Sequence, residues 1–325
     1  MRLTLRGWGV VCVVGLAALF ATLSGARALN AVAAPLVVAL GVGALQLSRA
    51  GTPTVSVDPI RPGFPDQTRQ LRVQLEGGAL ARVRVPLPDG LAGAAIDATV
   101  DMPCTLERTV TLRKRGVHHF SRVGVVQRGP LGLVARGVEA PVPGEVVVYP
   151  RRYTVTGATL SSLLSEDAVA ERQEFDRLRE YVPGDPLRDV HWKSSAKRDE
   201  FLVMEFASGK TDETVEVVAS ATADNADDMA SAAATVAGLA LDANRPVSVA
   251  VPDGDIPAGK GESHRENVLR LLAETGDGSL PDYRHEAADV SIRATDRGTT
   301  VRVGDRRHDF AAITAERVAE GVTPA

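Results

Sequence analysis

Two uncharged apolar stretches open the chain. Trp8 to Leu23 reads WGVVCVVGLAALFATL and Ala31 to Leu47 reads AVAAPLVVALGVGALQL, with Gly25 and Arg27 in the short interruption between them. With its flanks, each approaches the ~20 residues that carry a helix across ~30 Å of hydrocarbon. The pattern therefore predicts two transmembrane helices, at about residues 8–24 and 30–48. Pro35 falls near the start of the second, where it is tolerated, and Ala39 with Gly43 offers a small-xxx-small face for close helix packing. A cleaved signal peptide is the competing reading, with Arg2 and Arg6 as its basic region and Ala26-Arg27-Ala28 as its cleavage site. The second apolar run, which follows at once, favours the hairpin. Arg2, Arg6 and the terminal amine at one end, and Arg49 with Arg61 at the other, outnumber Arg27 in the connection, which places both ends in the cytoplasm. The expectation is a multi-pass cell-membrane protein of two spans, with the lipid bilayer as its first partner and the soluble portion cytoplasmic.

The pattern then changes period. Over residues 51–153, Thr54 to Val57, Leu71 to Leu75, Ala81 to Val85, Thr109 to Leu112 and Glu145 to Tyr149 show partial alternation between turns rich in Pro and Gly. That texture predicts an antiparallel β-sandwich-like domain, with Pro59, Pro62 and Pro65 in a turn or edge connection. Residues 154–212 differ in kind, because Phe175, Tyr181, Trp192, Phe201 and Phe206 fall close together among dense charges. Phe175, Leu178 and Tyr181 recur at helical spacing over Glu174 to Tyr181, and Val182-Pro183-Gly184 ends that run. Asp185 followed by Pro186 signals a second short helix towards Ala196, with Arg188 four residues before Trp192 and Asp189 four before Lys193. Phe201 to Phe206 reads as a strand. Residues 213–325 read as α/β: strand Thr214 to Ala219, helix Asp227 to Ala243, strand Pro246 to Val251, and helix Ser263 to Glu274 opened by a Ser263/Glu266 capping box. A hairpin follows around Asp296-Arg297-Gly298, and then a last short helix.

Composition narrows the function classes. A chain of 325 residues accommodates a helical hairpin and two folded units. Its formal charge of -4 gives no basic excess for phosphate backbones, so nucleic acid is not an expected partner. Cys12 lies inside an apolar run and Cys104 far outside it, which makes a disulfide between them implausible. Walker loops, GxSxG elbows, HExxH, CxxC pairs and GxGxxG turns are absent from the sequence. His118 and His119 are adjacent and point to opposite faces of a strand, while His191 and His264 have no second ligand at a useful spacing. No catalytic residue, metal ligand or cofactor is assigned on these grounds.

One stretch is specific. Tyr181, Pro183-Gly184-Asp185, Arg188, Trp192-Lys193 and Ser195-Ala196-Lys197, followed by Leu202-Val203, closely resemble the signature of the membrane-associated family known as domain of unknown function 58. Gly129-Pro130-Leu131-Gly132-Leu133 and Val146-Val147-Val148-Tyr149-Pro150 resemble the strand and turn leading into it. The resemblance implies no enzymatic activity. It does imply association with MoxR-type AAA+ ATPases, and a C-terminal half similar to a degenerate von Willebrand factor A domain. A metal site in such a domain needs an Asp-x-Ser-x-Ser loop, where this chain has Ala219-Ser220-Ala221-Thr222-Ala223. Two readings stay open. In the first, the chain is a non-catalytic membrane scaffold presenting Arg188, Trp192, Lys193 and Lys197 to a partner. In the second, it is an enzyme or ligand-binding protein using Asp185, Arg188 and Ser195 in a pocket.

Overall fold

The computed structural model describes residues 1–24, 27–129, 131–155, 175–180, 202–206 and 214–317. The chain divides into two compact units, Met1–Tyr149 and Pro150–Ala325.

The first unit opens with β1 (Arg2–Leu3), α1 (Leu5–Ser24), a 3-10 turn at Arg27–Leu29 and α2 (Asn30–Arg49). Each helix has 20 residues, hence a length of ~30 Å. Both are long and apolar enough to cross a membrane. Their apolar side chains face outward: Leu16, Leu19, Phe20, Val37 and Val38 are all more than half exposed. Only 11% of each candidate span is buried, whereas a core helix of a soluble protein would be mostly covered.

The strands that follow are β2 (Thr54–Val57), β3 (Thr68–Glu76), β4 (Leu80–Val85), β5 (Leu91–Ala92), β6 (Ile96–Asp101), β7 (Cys104–Leu112), β8 (Gly116–His119), β9 (Val123–Arg128), β10 (Val134–Ala140) and β11 (Glu145–Val148). They form antiparallel sheets ordered β1-β10-β9-β4-β6 and β2-β3-β7-β5, with β11 pairing β8. Strict alternation puts Leu71, Val73 and Leu75 of one sheet, and Ala81, Val83 and Val85 of the other, into one core with Val123, Val125, Val146 and Val148. Each such valine or leucine stabilises the fold by ~1.5–3 kcal/mol when fully buried. The strands predicted from alternation are present. β6, β9 and β10 extend the sheet beyond them, in sequences where charged residues or Gly124 and Gly137 dilute the pattern.

The turn between β9 and β10 docks on the hairpin. Gly129 N–H donates to Val134 O at 3.0 Å and Gly132 N–H to Gly129 O at 2.8 Å, with Gly132 at a φ of 65° that favours glycine. Thr4 N–H donates to Leu133 O at 3.0 Å, and its hydroxyl donates to Gly132 O at 2.6 Å. The same oxygen accepts from Gly7 N–H at 3.1 Å, so Thr4 caps α1 while fastening it to the turn. Leu47, Leu133 and Val134 form a small core of their own against Leu3, Val10, Ala39, Leu40 and Ala44. A side chain at Gly7 would collide with the Leu133 carbonyl, and one at Gly129 would meet Gly43 O at 3.3 Å.

The second unit contains β12 (Tyr153–Val155), β13 (Phe175–Glu180), β14 (Leu202–Phe206), β15 (Val215–Ala221), α3 (Ala226–Asp242), β16 (Val247–Val251), β17 (Gly254–Gly259), α4 (Glu262–Glu274), α5 (Asp282–Ala287), β18 (Val290–Thr295), β19 (Gly298–Val303), β20 (Arg306–Asp309), α6 (Phe310–Ile313) and β21 (Thr314–Arg317). Its main sheet runs β17-β16-β15-β18-β19-β20. β15 is parallel to both β16 and β18, while the outer pairs are antiparallel. On α3, Ala230, Ala232, Ala233, Ala234 and Ala237 are all buried, and such small side chains let a helix lie close to its sheet. The capping-box expectation is corrected: α4 begins at Glu262 with Gly261 before it, so Ser263 lies inside the first turn and no side chain caps the helix. β17 was not expected. It contains Pro257, which an edge strand tolerates.

Candidate functional site

The sequence-predicted site residues Tyr181, Pro183, Gly184, Asp185, Arg188, Trp192, Lys193, Ser195 and Lys197 lie outside the described residues, as does the short helix expected from Pro186 to Ala196. What is described is their frame. β13 and β14 pair antiparallel with Glu180 opposite Leu202, so the two described residues that bound the 181–201 connection are neighbours. The strand expected over Phe201 to Phe206 is found at Leu202–Phe206. The helix expected over Glu174 to Tyr181 is corrected to a strand, Phe175–Glu180. A run this short is marginal as an isolated helix, whereas pairing with β14 gives its backbone groups partners.

A polar cluster lies inside the main sheet of the second unit. Ser220 near the end of β15, His285 on α5 and Ser291 on β18 are all buried. Ser220 Oγ is 2.8 Å from His285 Nε2, and His285 Nδ1 is 2.8 Å from Ser291 Oγ. Leu280 N–H donates to Ser220 Oγ at 2.9 Å, and a neutral His285 ring donates to one of the two serine hydroxyls and accepts from the other. Burial, reinforced by the Arg293 guanidinium and only partly opposed by Asp282, pushes the imidazole down to about 4, so it is neutral at physiological pH. Arg302 donates to the carbonyls of His285 and Ala288 and fixes the end of α5. A serine beside an imidazole is how hydrolases prepare a nucleophile. Here the second ring nitrogen faces a hydroxyl where a carboxylate would be needed, and Ser220 is only 7% exposed. The cluster ties β15, α5 and β18 together. No sequence spacing announces it, because the three residues meet only through the parallel pairing of β15 with β18.

Beyond β15, Asn225 Nδ2 donates to Asp296 Oδ1 at 2.8 Å, Ala223 O at 2.9 Å and Thr222 Oγ1 at 3.1 Å. Asp227 and Asp228 lie in the first turn of α3, where the helix dipole favours negative charge. Among the described residues, no group of three His, Cys, Asp or Glu side chains is placed to share a metal ion.

The chain is 24% identical over 205 residues to the uncharacterized protein YeaD of Bacillus subtilis (strain 168), a match covering 56% of this chain and 50% of that one. It thus spans about half the length of this curated relative. Among solved structures, the PKD domain of an M14-like peptidase from a Thermoplasmatales archaeon matches at a TM-score of 0.19 and 17% identity, covering 28% of this chain and 92% of that domain. The CARDB domain of a Pyrococcus furiosus protein, in complex with di-metal ions, matches at a TM-score of 0.18 and 16% identity, covering 30% of this chain and 96% of the other. Residues 177–317, which take in the connection 181–201 and the whole main sheet of the second unit, match the family model described as "Protein of unknown function DUF58".

Proposed function

We propose that this chain is a membrane-anchored, non-catalytic scaffold. Its hairpin holds it in the bilayer, and residues 181–201 present Arg188, Trp192, Lys193 and Lys197 to a partner protein, for which a MoxR-type AAA+ ATPase is the candidate. The observation that carries this reading is the outward-facing apolar surface of α1 and α2, which water would not solvate and lipid would. The pairing of Glu180 with Leu202, which bound the 181–201 connection, supports a presented segment. The closed Ser220–His285–Ser291 cluster favours a structural use of the second unit's polar interior over a catalytic one. We read that unit as a degenerate von Willebrand factor A-like fold, on its central strand with parallel neighbours and on the small residues that follow it.

The test is a crosslinking pull-down from native membranes with the hairpin intact. The parent should capture an AAA+ ATPase, and Lys193→Ala with Lys197→Ala should reduce capture several-fold while its denaturation curve stays within ~0.5 kcal/mol of the parent's. Capture that falls only in step with loss of folded protein would reduce the segment to a packing role. Complete release of the chain from membranes by alkaline carbonate would remove the anchor.

A further inference from the structure

Within the first unit, two adjoining cavities run along α2. The first, about 580 Å³, is lined by Gln46, Arg49, Leu80, Asp101, Arg128 and Gly129 among others; its wall is mainly apolar, and its exposed rim carries two arginines and one aspartate. The second, about 190 Å³, is apolar, lined by Ala39, Val42, Gly43, Leu131 and Leu133, and shares Gln46 and Gly129 with the first. Along α2, Ala39 lies ten residues before Arg49, a distance of ~15 Å at 1.5 Å per residue. The groove therefore begins among charges at the end of the helix and continues down its apolar length. Two guanidiniums face one carboxylate there, and neither Arg49 nor Arg128 has an ion-pair partner among the described residues.

We propose that this groove holds one anionic phospholipid from the surrounding bilayer, its phosphate between Arg49 and Arg128 and one acyl chain lying along Ala39 to Gly43. The inference rests on the membrane reading above. Three features select the occupant. The groove is continuous with a helix face that lipid would cover, which supplies the acyl chain locally. The rim carries excess positive charge, and arginine forks match phosphate oxygens. Asp101 on the same rim accepts hydrogen bonds, which suits a headgroup bearing hydroxyls. A zwitterionic headgroup would bring its own cation to a rim already positive.

The experiment uses the full chain reconstituted in vesicles of phosphatidylcholine and phosphatidylglycerol at three to one by design, re-extracted in mild detergent and weighed by native mass spectrometry. One phosphatidylglycerol should be retained per chain, with the bound ratio of phosphatidylglycerol to phosphatidylcholine at least about tenfold above that of the mixture. The double variant Arg49→Gln/Arg128→Gln should lose about tenfold or more of that retention. Val42→Trp, which fills the apolar half, should lose it too. Arg108→Gln/Arg113→Gln, an equal charge loss elsewhere on the unit, should not. Equal retention of the two lipids, or full retention by the arginine double variant, would overturn the site while leaving the anchor intact. Release of the unsubstituted chain by carbonate before extraction would overturn the anchor, and the site with it.

Discussion

Two buried polar side chains, Gln127 and His285, are handled in opposite ways by their surroundings. Gln127 on β9 is fully buried, and neither of its amide atoms has a protein partner among the described residues. An unpaired buried amide costs ~1–3 kcal/mol. Gln127→Met keeps the length and removes both polar atoms, so it should raise stability by ~1 kcal/mol, read as a shifted denaturant midpoint at constant slope. A drop would mean that the amide is paired in solution. His285 is fully partnered, and its stability contribution depends on pH. Its folded-state value is about 4 against 6.5 for the free side chain, so the unfolded chain takes up the proton first. The stabilisation is complete above about 6.5 and is lost as pH falls through about 4, on the order of 3 kcal/mol in all. His285→Gln should lower stability at neutral pH yet flatten the decline between those values. Parallel curves for the two proteins would rule out His285 as the titrating group.

At the scale of elements, glycines decide how the hairpin meets the β unit. Gly7 faces the Leu133 carbonyl so closely that any side chain must push α1 from the β9–β10 turn. Gly7→Val should therefore destabilise the first unit by ~1–3 kcal/mol, while Gly9→Val, in open space two residues on, should meet no clash and gain a few tenths of a kcal/mol, roughly, in helix propensity. Thermal melts in detergent would separate them, and equal melts would mean that the turn is not docked. The requirement at Gly7 is not legible in the sequence, where the two glycines flank Trp8 alike at the start of the first apolar run. What was legible followed from strong periodicity. The two helices and the strands β2, β3, β4, β7, β11, β15, β16, β18 and β19 announce themselves by apolar runs or alternation. β13 did not, because Phe175, Leu178 and Tyr181 follow helical spacing, and only pairing with the distant β14, irregular between Phe175 and Arg177, makes the segment a strand. The Ser263/Glu266 box failed for a related reason: a cap is decided by where the chain enters the helix, and Gly261 starts it two residues early.

For the molecule as a whole, we propose from the arginine distribution that the β unit and both termini are cytoplasmic. Protease added to intact cells should leave the chain whole, and protease added to inverted vesicles should cut it. The reverse pattern would invert the topology. The sequence draws attention to the cluster of aromatics and charges between Glu171 and Phe206, whose segment 181–201 lies outside the described residues. The Ser220–His285–Ser291 cluster was not legible there, because its members lie up to 71 residues apart in sequence and only the folded sheet joins them.

The contact between Thr4 and Leu133 also orders events in time. It links residues separated by 129 positions, so the clasp that seats α1 cannot close until β10 has been synthesised. Both helices are complete by residue 49, long before that, and their exposed apolar faces would aggregate if they waited in water. On the proposed membrane anchoring, the hairpin enters the bilayer first, as an independent step, and the β unit folds afterwards onto an anchor already in place. A ribosome stalled near residue 120 should already be bound to membrane, with its Thr4 clasp still open.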